Sequence, residues 1–499
     1  MNNKKNYLAI DFGASNGRAI IGQYDGRTLD LKEAHRFENR PVFASGTLYW
    51  DILRLYSELK TGITGALKIT KKIDSLGVET WGCDFGLLDK NRELISNPVH
   101  YRDKRTMGLS EKVSQLISNE EIYKKTAAQI LEINTLYQLY SMKISRSTIL
   151  ENARYFLQIA DLFNFFLTGT IICEYSNATL TQLLDQRSKK WEKSIIAKLG
   201  FPENIFIPVT EPGTVIGSIN KNLCDELNCK PIRVSLPCYD TTSEITAIPV
   251  SKNNRLKNWA YLNCGTWAMV GTINDFPIVT EEGFRLGFGN EGGFAGKYHY
   301  LKNMVGLWII QECRKKWIKD TGKDIKWDEL MNLASGSAEK DIFIDVDDPI
   351  FEREIFDMPD CIINYCKKTD QEIPQNIGET AKVFYDSITL KYLLNLRKLE
   401  KIIGRKIELL HLVGGGSKDK LICQSVSDAT GLPLIAGPAE TTTTGNLLAQ
   451  MVATGEINSI EDGREIMINS ISLSSYGPIN TARWEYKYEK YKKILALEF

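Results

Sequence analysis

LAIDFGASNGRAIIGQYD (Leu8–Asp25) and AYLNCGTWAMVGTIND (Ala260–Asp275) have one pattern in common: an apolar run, a turn of small residues, then a second apolar run. Each reads as strand, tight turn, strand. Around the first copy, Tyr7–Asp11 and Arg18–Tyr24 are the strands, and the alternation of Thr28–Phe37 adds a third. Helical periodicity follows at Trp50–Lys68, Ser110–Tyr140 and Glu151–Leu167, with an apolar run at Ile73–Trp81 between the first two. Around the second copy, Leu409–Val413 should play the part that Ser75–Trp81 plays in the first half. Identity between the copies is poor, so the repeat is one of pattern. Strands mixed with helices in this way predict an α/β protein of two related domains, 1–247 and 248–499, the second ending in a helical tail past Gly455.

The length of 499 residues favours two cores over one. Lys and Arg together number 62, as do Asp and Glu, so no positive excess exists to track a nucleic-acid backbone or an anionic membrane. No run reaches the ~18 apolar residues of a membrane span. The closest, Ile159–Leu167, is interrupted by Asp161 and Asn164. Asp11 lies inside the first apolar run, which argues against a secretory leader. Ten scattered cysteines form no C-x-x-C pair and do not cluster with the four histidines, the pattern of reduced thiols in a cytoplasm.

Three turns have the chemistry to hold phosphate. In the first, Ala14-Ser15-Asn16-Gly17-Arg18, small residues bring backbone N–H groups to an anion and Arg18 adds charge, while Asp11 at the strand end could hold magnesium through water. Asn-Gly is also a common hairpin signal. The second turn is Cys264-Gly265-Thr266, where Thr266 offers a hydroxyl and an N–H. The third is Gly414-Gly415-Gly416-Ser417, with Ser417 as N-cap of a helix to Thr430 that Gly431 ends; three consecutive glycines exceed what turn geometry asks for. Gly287–Gly292 matches G-x-G-x-x-G, but it neither follows an apolar strand nor opens a helix. No G-x-x-x-x-G-K-[ST] occurs. Asp240 stands where Val234–Ser243 passes from strand to helix. It is an N-cap or a catalytic base, and a helix N-terminus should lower its pKa. Thr80–Phe85 and Tyr101–Asp103 combine aromatics with hydrogen-bonding groups, which suits a sugar as well as a core. Lys302–Lys319 reads as one helix, with Asn303 and Gln311 on one face.

These pieces, in this order, resemble the sugar-kinase family that includes glycerol kinase and xylulokinase, and within it most closely the kinases of L-rhamnulose. The resemblance spans nearly the whole chain. It is carried by DFGASNGR, HRFENRP (His35–Pro41), TWGCDFGLLD (Thr80–Asp89), YRDKR (Tyr101–Arg105), YDTTSE (Tyr239–Glu244), NCGTW, NEGG (Asn290–Gly293), LKNMVGLWIIQ (Leu301–Gln311), GGG and AGPAETTTTGN (Ala436–Asn446). It implies two ribonuclease-H-like domains of the actin-like ATPase superfamily with an active-site cleft between them. It implies ATP and Mg2+ as cofactors and a small ketose as substrate, phosphorylated on its carbon-1 hydroxyl: L-rhamnulose, or alternatively L-fuculose. Asp240 would accept the proton. Ala14, Ser15, Asn16, Gly17, Arg18, Thr266, Gln311 and Gly415 would bind ATP. Gly82, Tyr239, Asp240, Thr241 and Asn303 would bind the sugar, and Asp11 would place the magnesium. The chain departs from its relatives at Tyr239, where histidine is common, and at Asn16 and Cys264, where serine is usual.

Overall fold

The computed structural model describes residues 4–251, 258–351 and 357–496. They form two compact units. The first gathers residues 1–252, 273–300 and 441–471, the second residues 253–272, 301–440 and 472–499.

The first unit is built on a six-stranded sheet of β1 (Lys5–Phe12), β2 (Asn16–Tyr24), β3 (Leu29–Glu38), β4 (Ser75–Thr80), β5 (Thr214–Ser218) and β6 (Arg233–Leu236). Their order across the sheet is β5-β6-β4-β1-β2-β3. Both hairpin neighbours in β1-β2-β3 are antiparallel, whereas β4 lies parallel to β1 and to β6. The helix Ile52–Ile69 buries Ile52, Leu55, Leu59, Ile63 and Ala66 at three- and four-residue spacing. Burial of that kind is worth ~1.5–3 kcal/mol for each large side chain. Asp51 caps the helix by accepting from Arg54 N. Gly62 and Gly65 let it settle closely: a Cβ on either would stand 2.8 Å from Ala19 Cβ and 2.5 Å from Ala34 O, respectively. The helix Thr441–Ala453, from far along the chain, belongs to this unit. Gln450 Nε2 donates to Leu8 O (2.9 Å) and Asn446 Nδ2 to Gly77 O (3.2 Å). At Gly445 a Cβ would meet Ser243 O at 1.9 Å.

The second unit repeats the plan. Its strands are β7 (Trp259–Cys264), β8 (Trp267–Asn274), β9 (Tyr298–Val305), β10 (Leu409–Val413), β11 (Leu434–Ala436) and β12 (Ser474–Tyr476). They run in the order β12-β11-β10-β7-β8-β9, with Gly289–Gly292 as a seventh strand beyond β9; the four positions β10-β7-β8-β9 repeat β4-β1-β2-β3, while the edge strand β12 comes after β11 in the chain where β5 comes before β6. Again β7 and β8 form an antiparallel pair, β10 runs parallel to β7 and to β11, and the strand beyond β11 is antiparallel. The repeat read from Leu8–Asp25 and Ala260–Asp275 is therefore one of topology. The 27-residue helix Ile377–Ile403 starts at the Asn376 cap and ends on Gly404 at φ 67°. Tyr392 on it donates to Asn263 O of β7 (2.8 Å). None of the helices among the described residues is long and apolar enough to cross a membrane.

Three local readings of the sequence change. Ser110–Tyr140 is not one helix but three, Leu109–Ser114, Asn119–Thr126 and Thr135–Ile144, the second stopped by Ala127 at φ 62°. Within Glu151–Leu167, Tyr155–Gln158 is a strand paired with Phe85–Leu88, and the helix begins only at Ile159. Lys302–Lys319 divides at Gly306: the residues before it finish β9, and the helix Trp308–Thr321 follows. Gly306 N donates to Thr266 O (3.2 Å) and a Cβ there would lie 2.4 Å from Gly265 O, so the backbone is drawn against the β7–β8 turn instead of continuing a helix.

Candidate active site

In the first unit the turn Gly13–Ser15 joins β1 to β2. Asn39 pins it, donating from its backbone N to Ser15 O (3.0 Å) and from Nδ2 to Gly13 O (2.8 Å). Asn16 and Gly17 are not the turn's centre; both already belong to β2. Gly17 has a packing reason of its own, since a Cβ would lie 2.1 Å from the Phe37 ring. Arg18 and Asp11 face each other across the hairpin, Arg18 Nε donating to Asp11 Oδ2 at 3.0 Å. Burial raises the Asp11 pKa, and Arg18 offsets part of the rise.

Strand β6 delivers Tyr239 and Asp240 to the start of the helix Asp240–Thr246. Asp240 Oδ1 accepts from Thr241 N (2.6 Å) and Thr241 Oγ1 (3.2 Å). The expectation that the helix terminus would lower its pKa is overturned. Desolvation first, and the charge of Asp11 second, push Asp240 up to about 8, outweighing the bonds from Thr241. A carboxylate tuned this way suits a proton acceptor working near neutrality.

Gly82 follows β4. A Cβ there would meet Leu180 Cδ1 at 2.2 Å and Asn177 Oδ1 at 3.4 Å. Tyr239 N donates to Ser176 Oγ (3.1 Å). The segment Ser176–Leu180 thus packs on both Gly82 and Tyr239, bringing two of the expected sugar-site residues to a shared wall. Behind Gly82, Asp84 accepts from Trp50 Nε1 (2.6 Å), Trp81 Nε1 (2.9 Å), Gln138 Nε2 (2.8 Å) and Tyr101 N (3.1 Å). The aromatic motifs around Trp81 and Tyr101 converge on this buried carboxyl, which desolvation raises to about 6.

Glu79 was not among the expected residues. It is fully buried on β4, and its register partner on β1 is Asp11. Ser243 and Asn446 are its polar neighbours, yet neither carboxyl oxygen has a hydrogen-bond partner of ordinary geometry among the described residues. Burial, Asp11 and Asp240 raise its pKa well above the usual range. The signal was there: Glu79 is the one carboxylate within the apolar end of that strand.

In the second unit, Thr266 and Gln311 meet, Thr266 Oγ1 donating to Gln311 Oε1 at 3.4 Å. Leu307 N donates to Gly265 O (2.7 Å) and Trp308 N to Thr266 O (3.3 Å), so the phosphate-like turn and the first turn of the helix Trp308–Thr321 are tied together. Asn303 is on β9 and partly buried; it shares no helix face with Gln311. The three glycines separate by role. Gly414 stands at φ 82°, a conformation that favours glycine. Gly416 is pressed on Cys264, whose Sγ would be 2.2 Å from its Cβ. Gly415 faces open space: nothing lies within 4 Å of where its Cβ would be. The cap of the following helix is Asp419, not Ser417. Its side chain accepts from Ile422 N, while Gly415–Lys418 forms a 3-10 turn.

Glycine-bearing turns after the first strand of each sheet and a carboxylate at a helix start mark an α/β protein of two related units. The chain belongs to the FGGY family of carbohydrate kinases. The model of that family's N-terminal domain matches residues 6–245 and that of its C-terminal domain residues 260–454. The rhamnulokinase of Oceanobacillus iheyensis is 38% identical over 95% of this chain and 98% of its own length. That of Bacteroides thetaiotaomicron is 34% identical over 99% of this chain and 100% of its own. Among solved structures, ligand-bound xylulose kinase from Lactobacillus acidophilus superposes with a TM-score of 0.80 over 99% of both chains at 15% identity. Plasmodium falciparum glycerol kinase with ADP gives 0.79 over 99% of both at 14%. These two likenesses establish the fold.

Proposed function

We propose that this chain transfers the γ-phosphoryl group of ATP to the carbon-1 hydroxyl of L-rhamnulose, yielding L-rhamnulose 1-phosphate and ADP, in cytoplasmic L-rhamnose catabolism. The relatives named rhamnulokinase, matched over nearly their full length, support the substrate. The observation that carries the chemistry is Asp240. Thr241 occupies its Oδ1, which leaves Oδ2 to take the hydroxyl proton, and its surroundings hold the acid near working pH. Because phosphoryl transfer has a loose transition state, the placement of the attacking oxygen matters more than strong basicity.

Gly82, Tyr239, Thr241 and Asn303 are assigned to the sugar, and the N–H groups and side chains of Ala14–Arg18 to phosphate oxygens. Thr266, Gln311 and Gly415 are assigned to the nucleotide, with the bare Gly415 surface suited to a flat ring. The proposed functional division gives 1–247 the first phosphate turn and the sugar residues other than Asn303, and 248–499 the second phosphate turn, adenosine and Asn303. For the divalent cation, taken as Mg2+, the donor set fits a hard ion: Asp11 and the unpartnered Glu79 oxygens are carboxylates beside the first turn. When bound the cation would neutralise charge on the β- and γ-phosphates.

The test is ADP release with ATP and magnesium across L-rhamnulose, L-fuculose, L-ribulose, L- and D-xylulose, glycerol and no sugar. Preference for L-rhamnulose is expected. Preference for another ketose would move the substrate, and release indifferent to every sugar would overturn the reading.

A further inference from the structure

Tyr239, the residue before Asp240, is gripped at both ends. Its backbone N–H is taken by Ser176 Oγ, which in turn donates to Glu174 Oε2 at 2.7 Å. Glu174 also accepts from Ser176 N (2.7 Å) and Asn177 N (2.8 Å), so this hydroxyl has one orientation. At the other end the Tyr239 phenol donates to Glu291 Oε2. Both residues of that pair are buried. As the N-cap of the helix that Asp240 opens, Tyr239 makes no side-chain capping bond; its hydroxyl meets Glu291, with Thr241 of the helix's first turn beside it.

Glu291 cannot follow Tyr239 if that ring moves. Its strand, Gly289–Gly292, is tied on every side. Gly292 N donates to Thr179 Oγ1 (3.0 Å), Thr242 Oγ1 donates to Gly292 O (3.1 Å), and Gln186 Nε2 donates to Asn290 O (2.7 Å). There is no room to slide, since a Cβ on Gly289 would lie 2.2 Å from Gln129 N and one on Gly292 2.5 Å from the Tyr175 ring. The strand's backbone bonds hold it without the carboxyl. A buried carboxyl is costly unless it is hydrogen-bonded, and the Tyr239 phenol is the side-chain donor that Glu291 has.

We propose that Glu291 is a positioning residue for phosphoryl transfer: by clamping the Tyr239 phenol it fixes the first turn of the catalytic helix and hence the attitude of the Asp240 carboxylate. This rests on Asp240 being the proton acceptor. Glu291 acts through Tyr239 and needs no contact with sugar or nucleotide.

The test is a double-mutant cycle read as kcat and as KM for ATP with the preferred ketose. Tyr239→Phe and Glu291→Ala should each lower kcat about tenfold with the ATP KM unchanged. The double variant should fall no further, because one shared bond is lost in all three. Glu291→Gln should keep most of kcat, its amide oxygen still accepting the phenol proton. Wild-type kcat in Glu291→Ala, losses that multiply in the double variant, or a Glu291→Gln as impaired as Glu291→Ala would each overturn the proposal. Should Glu291→Ala not fold, Tyr239→Phe decides, and an unchanged kcat there is fatal. Asp240→Asn in the same series separates the premises. Full turnover in that variant removes the proton-acceptor reading itself; its loss beside an unaffected Glu291→Ala removes only the clamp.

Discussion

Asp240 is held where its charged form is disfavoured, and both activity and stability should register it. Replacing it with asparagine removes the proposed proton acceptor, so kcat should fall by roughly 10²–10⁴-fold with ATP binding retained, measurable by sugar-dependent ADP release alongside calorimetry. Stability should move the other way. The Asp240 pKa rises from 3.8 to about 8 on folding. Below pH 4 the folded and unfolded chains are both protonated there, and the residue is neutral to stability. Between pH 4 and 8 the unfolded chain sheds the proton that the fold retains, so stability is lost as pH rises through that window. Metal-free Asp240→Asn should therefore melt above the wild type at pH 8 and converge with it near pH 4. A melting difference independent of pH would show that Asp240 is not so shifted.

At the scale of elements, the glycine run after β10 separates structure from function. Gly416→Ala should cost about 1–3 kcal/mol, because its methyl would overlap Cys264, whereas Gly415→Ala should leave the melting temperature unchanged. Gly415→Arg, whose Cβ would likewise meet nothing within 4 Å, should weaken ATP binding about tenfold or more by calorimetric titration. Unchanged affinity would remove this loop from the nucleotide site. The same elements set what could be read from sequence. The β1–β2 and β7–β8 hairpins were legible because alternation and small-residue turns are local signals. The break at Gly306 was not: LKNMVGLWIIQ offers apolar residues at both helical and strand spacing, and the deciding contact is with Gly265, some forty residues earlier. The site divided in the same way. Asp240, Asp11 and the glycine turns stand in compact motifs, but Glu79 acquires its meaning from Asp11 and Glu291 from Tyr239, pairings that only the sheet and the helix positions create. The direction of the Asp240 shift was missed for a related reason, since a helix terminus is visible in sequence and the desolvation that outweighs it is not.

Both sheets of the molecule are built on one four-strand core order, and the first is not finished by the first half of the chain. The helix Thr441–Ala453 supplies hydrogen-bond donors to β1 and β4 through Gln450 and Asn446, and it buries Leu447, Leu448 and Met451. A fragment ending at Lys252 would expose the apolar face that this helix covers and leave Leu8 O without its side-chain donor. It should be insoluble or lack cooperative unfolding, as judged by circular dichroism on heating; a soluble fragment with a sharp transition would contradict this. Saturating ketose should raise the melting temperature of the intact chain, in proportion to the logarithm of its concentration above Kd.

That late helix also has a consequence for the protein at birth. The helix Asp240–Thr246 leaves the ribosome roughly 200 residues before Gly445, the residue against which its Ser243 packs. At ~5–20 residues/s the nascent chain waits on the order of 10–40 s with this surface uncovered. The first unit is thus begun first and completed late, so rare codons or stalling between residues 250 and 440 would lengthen its exposure to aggregation without altering one contact of the finished enzyme.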